Sequence, residues 1–322
     1  MTVSLKILEV KQLKKYFPVK TDLFGKGKEF AKAVDGIDFY INYGEVLGLV
    51  GESGCGKSTT GRTVLRLLEP TEGEILFEGQ DITHMKKNEL RKIYKHMQLV
   101  FQDPFASLNP RKKVGGAIDE VLYVHGMKDE SQRRERIREL FDMVGLRGVE
   151  DKYPHEFSGG QRQRVVIARA LAVNPKLIIC DEPVSALDVS IQAQIINLLI
   201  NLKNRLGLSY LFISHDLRVV KYMSDRVAVM YAGKIVETAP AEELFKNPAH
   251  PYSMALLSVV SALGTGKNKQ KIILEGEVPS PLAPPSGCRF RTRCRYATKQ
   301  CSETEPQVKC VGTGHFVSCH LY

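Results

Sequence analysis

Residues Gly51-Glu52-Ser53-Gly54-Cys55-Gly56-Lys57-Ser58-Thr59 follow the spacing G-x-x-x-x-G-K-[ST], with a further glycine inside it at Gly54. This is a P-loop pattern, and its surroundings fit it. Before it, Val46-Leu47-Gly48-Leu49-Val50 is a short apolar run bounded by turn residues, which predicts a buried strand. After it, Ser58 to Leu68 has helical spacing and stops before Pro70, which predicts a helix. Strand, glycine-rich loop and helix, in that order, form the context the motif requires. The glycines let backbone N–H groups curl around a polyphosphate, and the positive end of the helix dipole adds to the attraction. Gly51, Ser53, Gly54, Cys55, Gly56 and Thr59 would make the cradle. Lys57 would reach the β- and γ-phosphates, and the Ser58 hydroxyl would bind Mg²⁺. The alternative, a glycine-rich turn with an exposed lysine, is disfavoured by the flanking strand and helix.

The bulk composition bounds the rest. A chain of 322 residues makes one large or two ordinary domains, and 43% hydrophobic with 25% charged residues is the balance of a soluble globular protein. No apolar run approaches the ~18 residues of a membrane span. Met1 to Val10 lack a charged-then-apolar signal pattern, and lysines follow at positions 11, 14 and 15. The expectation is a cytoplasmic protein that meets a membrane only through a partner. Net charge is +10, from 46 Lys/Arg against 36 Asp/Glu. Residues 264–322 hold nine basic against four acidic residues, so half of that excess lies in the tail. Nucleic acid, an anionic membrane surface or a cysteine-bound cluster would each suit it, as would a solvated basic face.

Along the chain, residues 1 to 45 read as short apolar runs with turns, and Lys20 to Lys28 as an exposed loop. Gly73 to Phe77 and Leu99 to Gln102 read as strands. From about 104 to 157 the chain turns helical and charged, as in Glu130 to Leu140, and reads as a helical insertion. Residues 158 to 262 return to strand–helix units: a helix from about Gly160, a strand Leu177 to Cys180, a helix Ile191 to Leu206, and a strand Tyr210 to Ile213. Such repetition implies a mostly parallel sheet covered by helices. The stretch 264–269 reads as a linker, and Pro279 to Pro285 is too rich in proline for a helix. Residues 286 to 322 then show little apolar core of their own.

Leu177-Ile178-Ile179-Cys180 ends in Asp181-Glu182. At the carboxyl end of a strand beside a P-loop, Asp181 can hold the Mg²⁺ shell and Glu182 can polarise an attacking water. Ser158 in Phe157-Ser158-Gly159-Gly160-Gln161 is a good helix N-cap, and its two glycines would allow a phosphate to approach. Five cysteines, Cys288, Cys294, Cys301, Cys310 and Cys319, crowd into the tail. In a chain with no export signal, that points to metal rather than to disulfides. The spacings match neither common zinc fingers nor ferredoxins, so zinc and iron–sulfur both remain open.

Taken in order, these elements resemble the ATP-binding cassette (ABC) ATPases. Ser158 to Gln161 is similar to the signature segment. Gln102 matches the glutamine loop, Ser185-Ala186-Leu187-Asp188 the loop after the carboxylates, and His215 in Ser214-His215-Asp216 the switch histidine. Phe17 matches the aromatic that stacks on adenine, with Tyr16 the one-residue alternative. The resemblance covers roughly residues 5 to 262. It implies an α/β fold: a P-loop NTPase (RecA-like) core with an antiparallel β subdomain and a helical insertion at about 104–157. The cassette would span 1–263, followed by a small cysteine-rich domain at 264–322. It implies ATP and Mg²⁺, the metal held by Ser58, Gln102 and Asp181. Glu182, His215, Lys57 and Gln102 would act in hydrolysis. Ser158, Gly159, Gly160, Gln161 and Asp188 would complete the nucleotide site across a dimer.

Gly51 to Arg62, Phe101-Gln102-Asp103-Pro104, His250-Pro251-Tyr252 and the tail cysteines further resemble the ATPases of bacterial dipeptide/oligopeptide importers. Thr59-Thr60-Gly61-Arg62 and the loop at 20 to 28 look more like the second, F-type ATPase of such transporters. The resemblance implies two membrane permease subunits, a paralogous ATPase or a second copy as dimer partner, and a peptide-binding protein outside the membrane. It implies a peripheral place on the cytoplasmic face of the cell membrane. It also implies a [4Fe–4S] cluster on Cys288, Cys294, Cys301 and Cys319, leaving Cys310 out. The competing class is a soluble ABC ATPase acting on nucleic acid. Such proteins carry a long coiled coil between P-loop and signature, and no heptads occur here, so no nucleic acid is expected.

Overall fold

The computed structural model describes residues 5–19, 29–262 and 272–322. The loop expected at 20–28, the linker at 264–269 and the domain boundary at 263/264 lie outside the described residues. The chain begins with strands β1 (Lys6–Val19), β2 (Glu29–Asn42) and β3 (Val46–Val50), then helix α1 (Lys57–Val64). There follow β4 (Glu72–Phe77), β5 (Gln80–Asp81), α2 (Lys87–Ile93) and β6 (Met97–Val100). Next come α3 (Pro104–Ser107), α4 (Val114–Val124), α5 (Glu130–Met143), α6 (Gly159–Leu171), β7 (Leu177–Asp181) and α7 (Val189–Leu206). The rest is β8 (Ser209–Ile213), α8 (Leu217–Met223), β9 (Arg226–Tyr231), β10 (Lys234–Pro240), α9 (Ala241–Lys246) and α10 (Pro251–Ala262). The tail adds α11 (Gln300–Glu303), β11 (Val308–Gly312) and β12 (His315–Ser318).

The chain divides into two compact units. One comprises Lys6–Ile41, Val46–His84 and Ile213–Tyr322, and so holds both the P-loop and the cysteine tail. It contains a sheet ordered β2-β1-β4-β5 and a run of strands ordered β11-β12-β10-β9-β3. β1 and β4 are antiparallel, with Leu8 opposite Phe77. β3 is parallel to β9, with Val50 opposite Val229, and every residue of β3 is buried. A strand covered on both faces has no polar face to keep, which is why Val46 to Val50 reads as a continuous apolar run.

The other unit contains Asn42–Glu45 and Met85–Phe212. Its strands run β8-β7-β6, with β6 parallel to β7 and Val100 opposite Cys180. The expected helical insertion is there as α3, α4 and α5. Asp129 caps α5 by accepting from the Ser131 and Gln132 N–H groups, and Ile137, Leu140 and Phe141 form its buried stripe.

Three local expectations need correcting. α1 stops at Val64 rather than Leu68, because Arg66 turns left-handed (φ 58°) and the Leu67 and Leu68 N–H groups fold back to the Arg62 carbonyl. Gln102 lies beyond β6, not within a strand. Lys6–Val19 and Glu29–Asn42 are strands of 14 residues each, not short runs. The charged stretch Lys14-Lys15 breaks the alternation that would have revealed β1.

The tail also differs from expectation. Residues 272–322 group with the P-loop unit instead of separating. β12 pairs with β10, Val317 opposite Glu237 and Phe316 opposite Thr238. Phe290 and Val317 are each 1% exposed, so the segment does bury apolar anchors. Pro279 to Pro285 is irregular, as expected. Among the described residues no helix is long and apolar enough to cross a membrane.

Candidate nucleotide site and cysteine-lined cavity

The P-loop connects β3 to α1. Gly56 caps α1 in a left-handed conformation (φ 108°), and a Cβ there would sit 2.2 Å from the Ala33 carbonyl oxygen, so only glycine fits. The Thr60 hydroxyl donates to the Gly56 carbonyl at 3.0 Å, tying the helix to its loop. Lys57 is 5% exposed and folds over the loop, its Nζ donating to the carbonyls of Gly51 (2.8 Å) and Glu52 (3.0 Å). Cys55 is buried beside it, and burial pushes its thiol up. Ser53 and Gly54 are exposed, while Ser58 and Thr59 are half-buried. In the same unit, Phe17 is half-buried on β1 with Lys15 Nζ 4.9 Å above its ring. The hydroxyl of neighbouring Tyr16 is committed to Asp35, leaving Phe17 as the aromatic without a polar tether. His215 is exposed just beyond β8.

In the other unit, Asp181 is 2% exposed at the end of β7 and Glu182 follows it half-buried. Glu182 has φ 50°, a left-handed conformation that costs a glutamate energy and recurs at functional positions. The Ser185 hydroxyl donates to the Glu182 carbonyl at 3.1 Å, holding that turn. Gln102 Nε2 donates to Glu182 Oε2 at 3.1 Å, so the structure brings together two of the four residues expected to act in hydrolysis. Ser158 caps α6 as expected. Its hydroxyl accepts from the Gln161 N–H, and the Gln161 side chain accepts from the Ser158 N–H at 3.0 Å. Gly160 has a packing reason of its own to be glycine. It is buried, and a Cβ there would lie 2.4 Å from Ile191 Cγ2, so packing leaves no room for a side chain. Asp188 is exposed at the N-cap of α7.

In the tail, Cys288, Cys294, Cys301 and Cys319 line one cavity together with His250, Phe290 and Tyr296. Cys310 does not; it is exposed, and its thiol donates to the Gly312 carbonyl at 3.2 Å. The Cys288 thiol is pushed up to about 11, chiefly by burial and further by the other three cysteines. Cys294 is raised by burial and by Cys319 and Cys301. His250 is 1% exposed and held neutral by burial, its pKa lowered to about 3. Its Nδ1 accepts from the Tyr252 N–H at 3.0 Å, while its buried Nε2 has no hydrogen-bond partner.

Comparison with known proteins places this arrangement. Residues 34–185 match the family described as ABC transporter, and residues 236–301 match the C-terminal region of oligopeptide/dipeptide transporters. The oligopeptide transport ATP-binding protein AppF of Bacillus subtilis is 55% identical over 321 residues, 98% of this chain and 97% of that protein. The chain belongs to the ATP-binding subunits of ABC transporters. The dipeptide transport ATP-binding protein DppF of Haemophilus influenzae is 47% identical over 95% of this ABC subunit and 94% of its own length. A solved dimeric ATP-binding cassette, MJ0796 in a post-hydrolysis state with ADP and Pi, superposes with a TM-score of 0.65 at 29% identity. It covers 73% of this chain and 98% of its own. The ABC ATPase cassette fold, α/β with an antiparallel sheet, is therefore the fold of this protein, and ATP hydrolysis its family's activity.

Sequence reading missed several contacts around the P-loop of this ABC ATPase. The Glu52 N–H donates to the Tyr252 hydroxyl at 2.8 Å. The Glu52 carboxylate pairs with Arg293 of the tail at 2.7 Å. Asp35 pairs with Arg289. Two of the tail's arginines thus reach acids of the cassette. These pairs span 241 and 254 residues, a separation at which no local pattern gives a signal.

Proposed function

We propose that this chain is the ATPase subunit that powers import of dipeptides or oligopeptides. Likeness along 98% of its length to a protein named for oligopeptide transport carries the reading. On this reading the P-loop backbone from Gly51 to Thr59 cradles the phosphates and Lys57 bonds the β- and γ-oxygens. Ser58, Gln102 and Asp181 are the residues that would hold Mg²⁺, which would neutralise phosphate charge there. Glu182 orients the attacking water, with Gln102 fixing its carboxylate, and His215 faces the γ-phosphate side. Phe17 stacks on the base. Ser158, Gly159, Gly160, Gln161 and Asp188 close on the nucleotide of a second ATPase, either a paralogue or another copy. The functional modules are the cassette, 1–263, and the tail, 264–322.

Two permease subunits would dock on the helical insertion, where Ser107, Val121, Val124, His125 and Arg169 line an open groove. That places the protein peripherally on the cytoplasmic face of the membrane, serving a peptide-binding protein on the other side. The nucleic-acid alternative has no support, since the relatives are named for peptide transport and Arg289 and Arg293 are spent on acids of this chain.

Glu182→Gln should still bind ATP and accumulate as a closed dimer by size-exclusion chromatography. Its turnover should fall by about 3–4 kcal/mol of barrier, a few hundredfold, as for other lost transition-state contacts. Near-normal turnover would remove Glu182 from this role.

The tail reading is that Cys288, Cys294, Cys301 and Cys319 hold a [4Fe–4S] cluster. Four thiols lining one cavity suit such a group, and the unpartnered His250 Nε2 could donate to one of its sulfides. The group would act as a staple. Closing about 30 residues restricts the unfolded chain by roughly 3–4 kcal/mol, by analogy with a disulfide. Anaerobically purified protein should contain about four irons with equal acid-labile sulfide. Cys294→Ser should lose them, and Cys310→Ser should keep them. Stoichiometric zinc would replace the cluster assignment, and metal-free protein with an intact tail would end it.

A further inference from the structure

Between Cys288 and Cys294 the tail makes one tight loop. The Cys288 N–H donates to the Cys301 carbonyl at 2.8 Å and the Arg293 N–H to the Phe290 carbonyl at 3.0 Å. Phe290 anchors the loop, edge-on to Tyr231 with ring centres 5.1 Å apart and tilted against Tyr252 at 5.4 Å. To one side of this anchor, Arg289 pairs with Asp35 of β2, which also accepts from the Tyr16 hydroxyl of β1. To the other, the two terminal nitrogens of Arg293 donate to the two carboxylate oxygens of Glu52, at 2.7 and 3.3 Å. Both guanidiniums are nearly enclosed, the Arg289 side chain 10% and the Arg293 side chain 7% exposed. Backbone bonds through Gly233 join the two gripped segments, β2 and the P-loop. The Asp35 N–H donates to the Gly233 carbonyl at 2.9 Å, and the Gly233 N–H donates to the P-loop carbonyl of Cys55 at 3.0 Å.

We infer that Arg289 and Arg293 are positioning residues of the nucleotide site: from the tail, Arg293 grips the P-loop itself and Arg289, through Asp35 and Tyr16, steadies the strand that carries Phe17. The inference rests on the nucleotide site proposed above. Its physical core is Glu52, an acid inside a loop built to bind a polyanion. Left unpaired, its charge repels the phosphates at short range. A forked guanidinium cancels that charge and fixes the carboxylate in two directions, which a lysine does less well. Arg289 works at the base side. It holds Asp35, and with it Tyr16, the residue beside Phe17. The tail thus contributes to nucleotide affinity without touching nucleotide.

The test is the affinity of the full-length chain for Mg·ATP, measured by isothermal titration calorimetry. Arg293→Gln should raise the Kd about tenfold, the effect of losing a charge-assisted, two-pronged bond next to the phosphates. Adding Glu52→Gln to Arg293→Gln should bring the Kd back to within about threefold of the parent, since no unpaired charge is left to repel. A purely structural role for Arg293 predicts instead that the double variant binds as weakly as the single one, and that result would overturn the inference. So would an Arg293→Gln that binds ATP like the parent. If Arg293→Gln does not fold, Arg293→Lys, which keeps the charge and loses the fork, should raise the Kd about threefold. A parental Kd there would equally overturn it. Arg289→Gln should raise the Kd with Phe17 intact, and adding Tyr16→Phe should then have no further effect, because both act through Asp35. Lys57→Ala separates the two proposals: if it binds ATP like the parent, the nucleotide-site reading is what has failed.

Discussion

At Gly160 the chain has no room for a side chain, because Ile191 Cγ2 stands 2.4 Å from where a Cβ would be. Ile191 is β-branched and has few rotamers through which to yield. Gly160→Ala should therefore destabilise the protein by about 1–3 kcal/mol, the usual cost of overpacking. Ile191→Ala in the same chain removes the obstructing methyl and should recover most of that loss in a thermal melt. If Gly160→Ala melts like the parent, Gly160 is not there for packing. The same residue shows how far local sequence reading goes. The pattern Ser158-Gly159-Gly160-Gln161 announces a capped helix, and the cap formed as read. What the pattern could not say is that α7 lies against the second glycine, since that depends on a residue 31 positions away.

Among the elements, β10 does the most that the sequence left unannounced. It accepts β12 at its edge, and its Glu237, 1% exposed, gathers three donors. These are the Ala249 N–H at 2.7 Å, the His250 N–H at 2.8 Å and His315 Nε2 at 2.7 Å. Glu237→Ala would leave these buried groups without an acceptor, at a cost of about 3 kcal/mol or more. It should expose β11 and β12 to limited proteolysis before the rest of the chain unfolds. Equal protease resistance in the two proteins would show that β12 docks without this carboxylate. β11 and β12 are only five and four residues long, too short for either to carry a readable period. By contrast β3, β7 and β8 are buried throughout and apolar save for Asp181 and Ser209 at strand ends, and all three were legible to within a residue or so.

Across the whole molecule, the charge balance shows the same division. The tail's basic excess is plain from composition, and composition offers nucleic acid, lipid and metal as equal takers. Pairing settles part of it: Arg289 goes to Asp35 and Arg293 to Glu52, while Glu305 takes Lys234 from β10. The sequence by itself determined the order of the motifs and the family. Those properties live in short spacings: glycines that must turn around phosphate, a strand that must end in carboxylates, a serine that must cap a helix. The family resemblance had already singled out Cys288, Cys294, Cys301 and Cys319 and left Cys310 aside; tertiary structure decided that these four line one cavity and that the tail reaches the P-loop. These outcomes depend on β12 finding the edge of β10 and Phe290 finding Tyr231 and Tyr252. Contacts closed over such distances along the chain follow from packing and leave no periodic trace in the sequence.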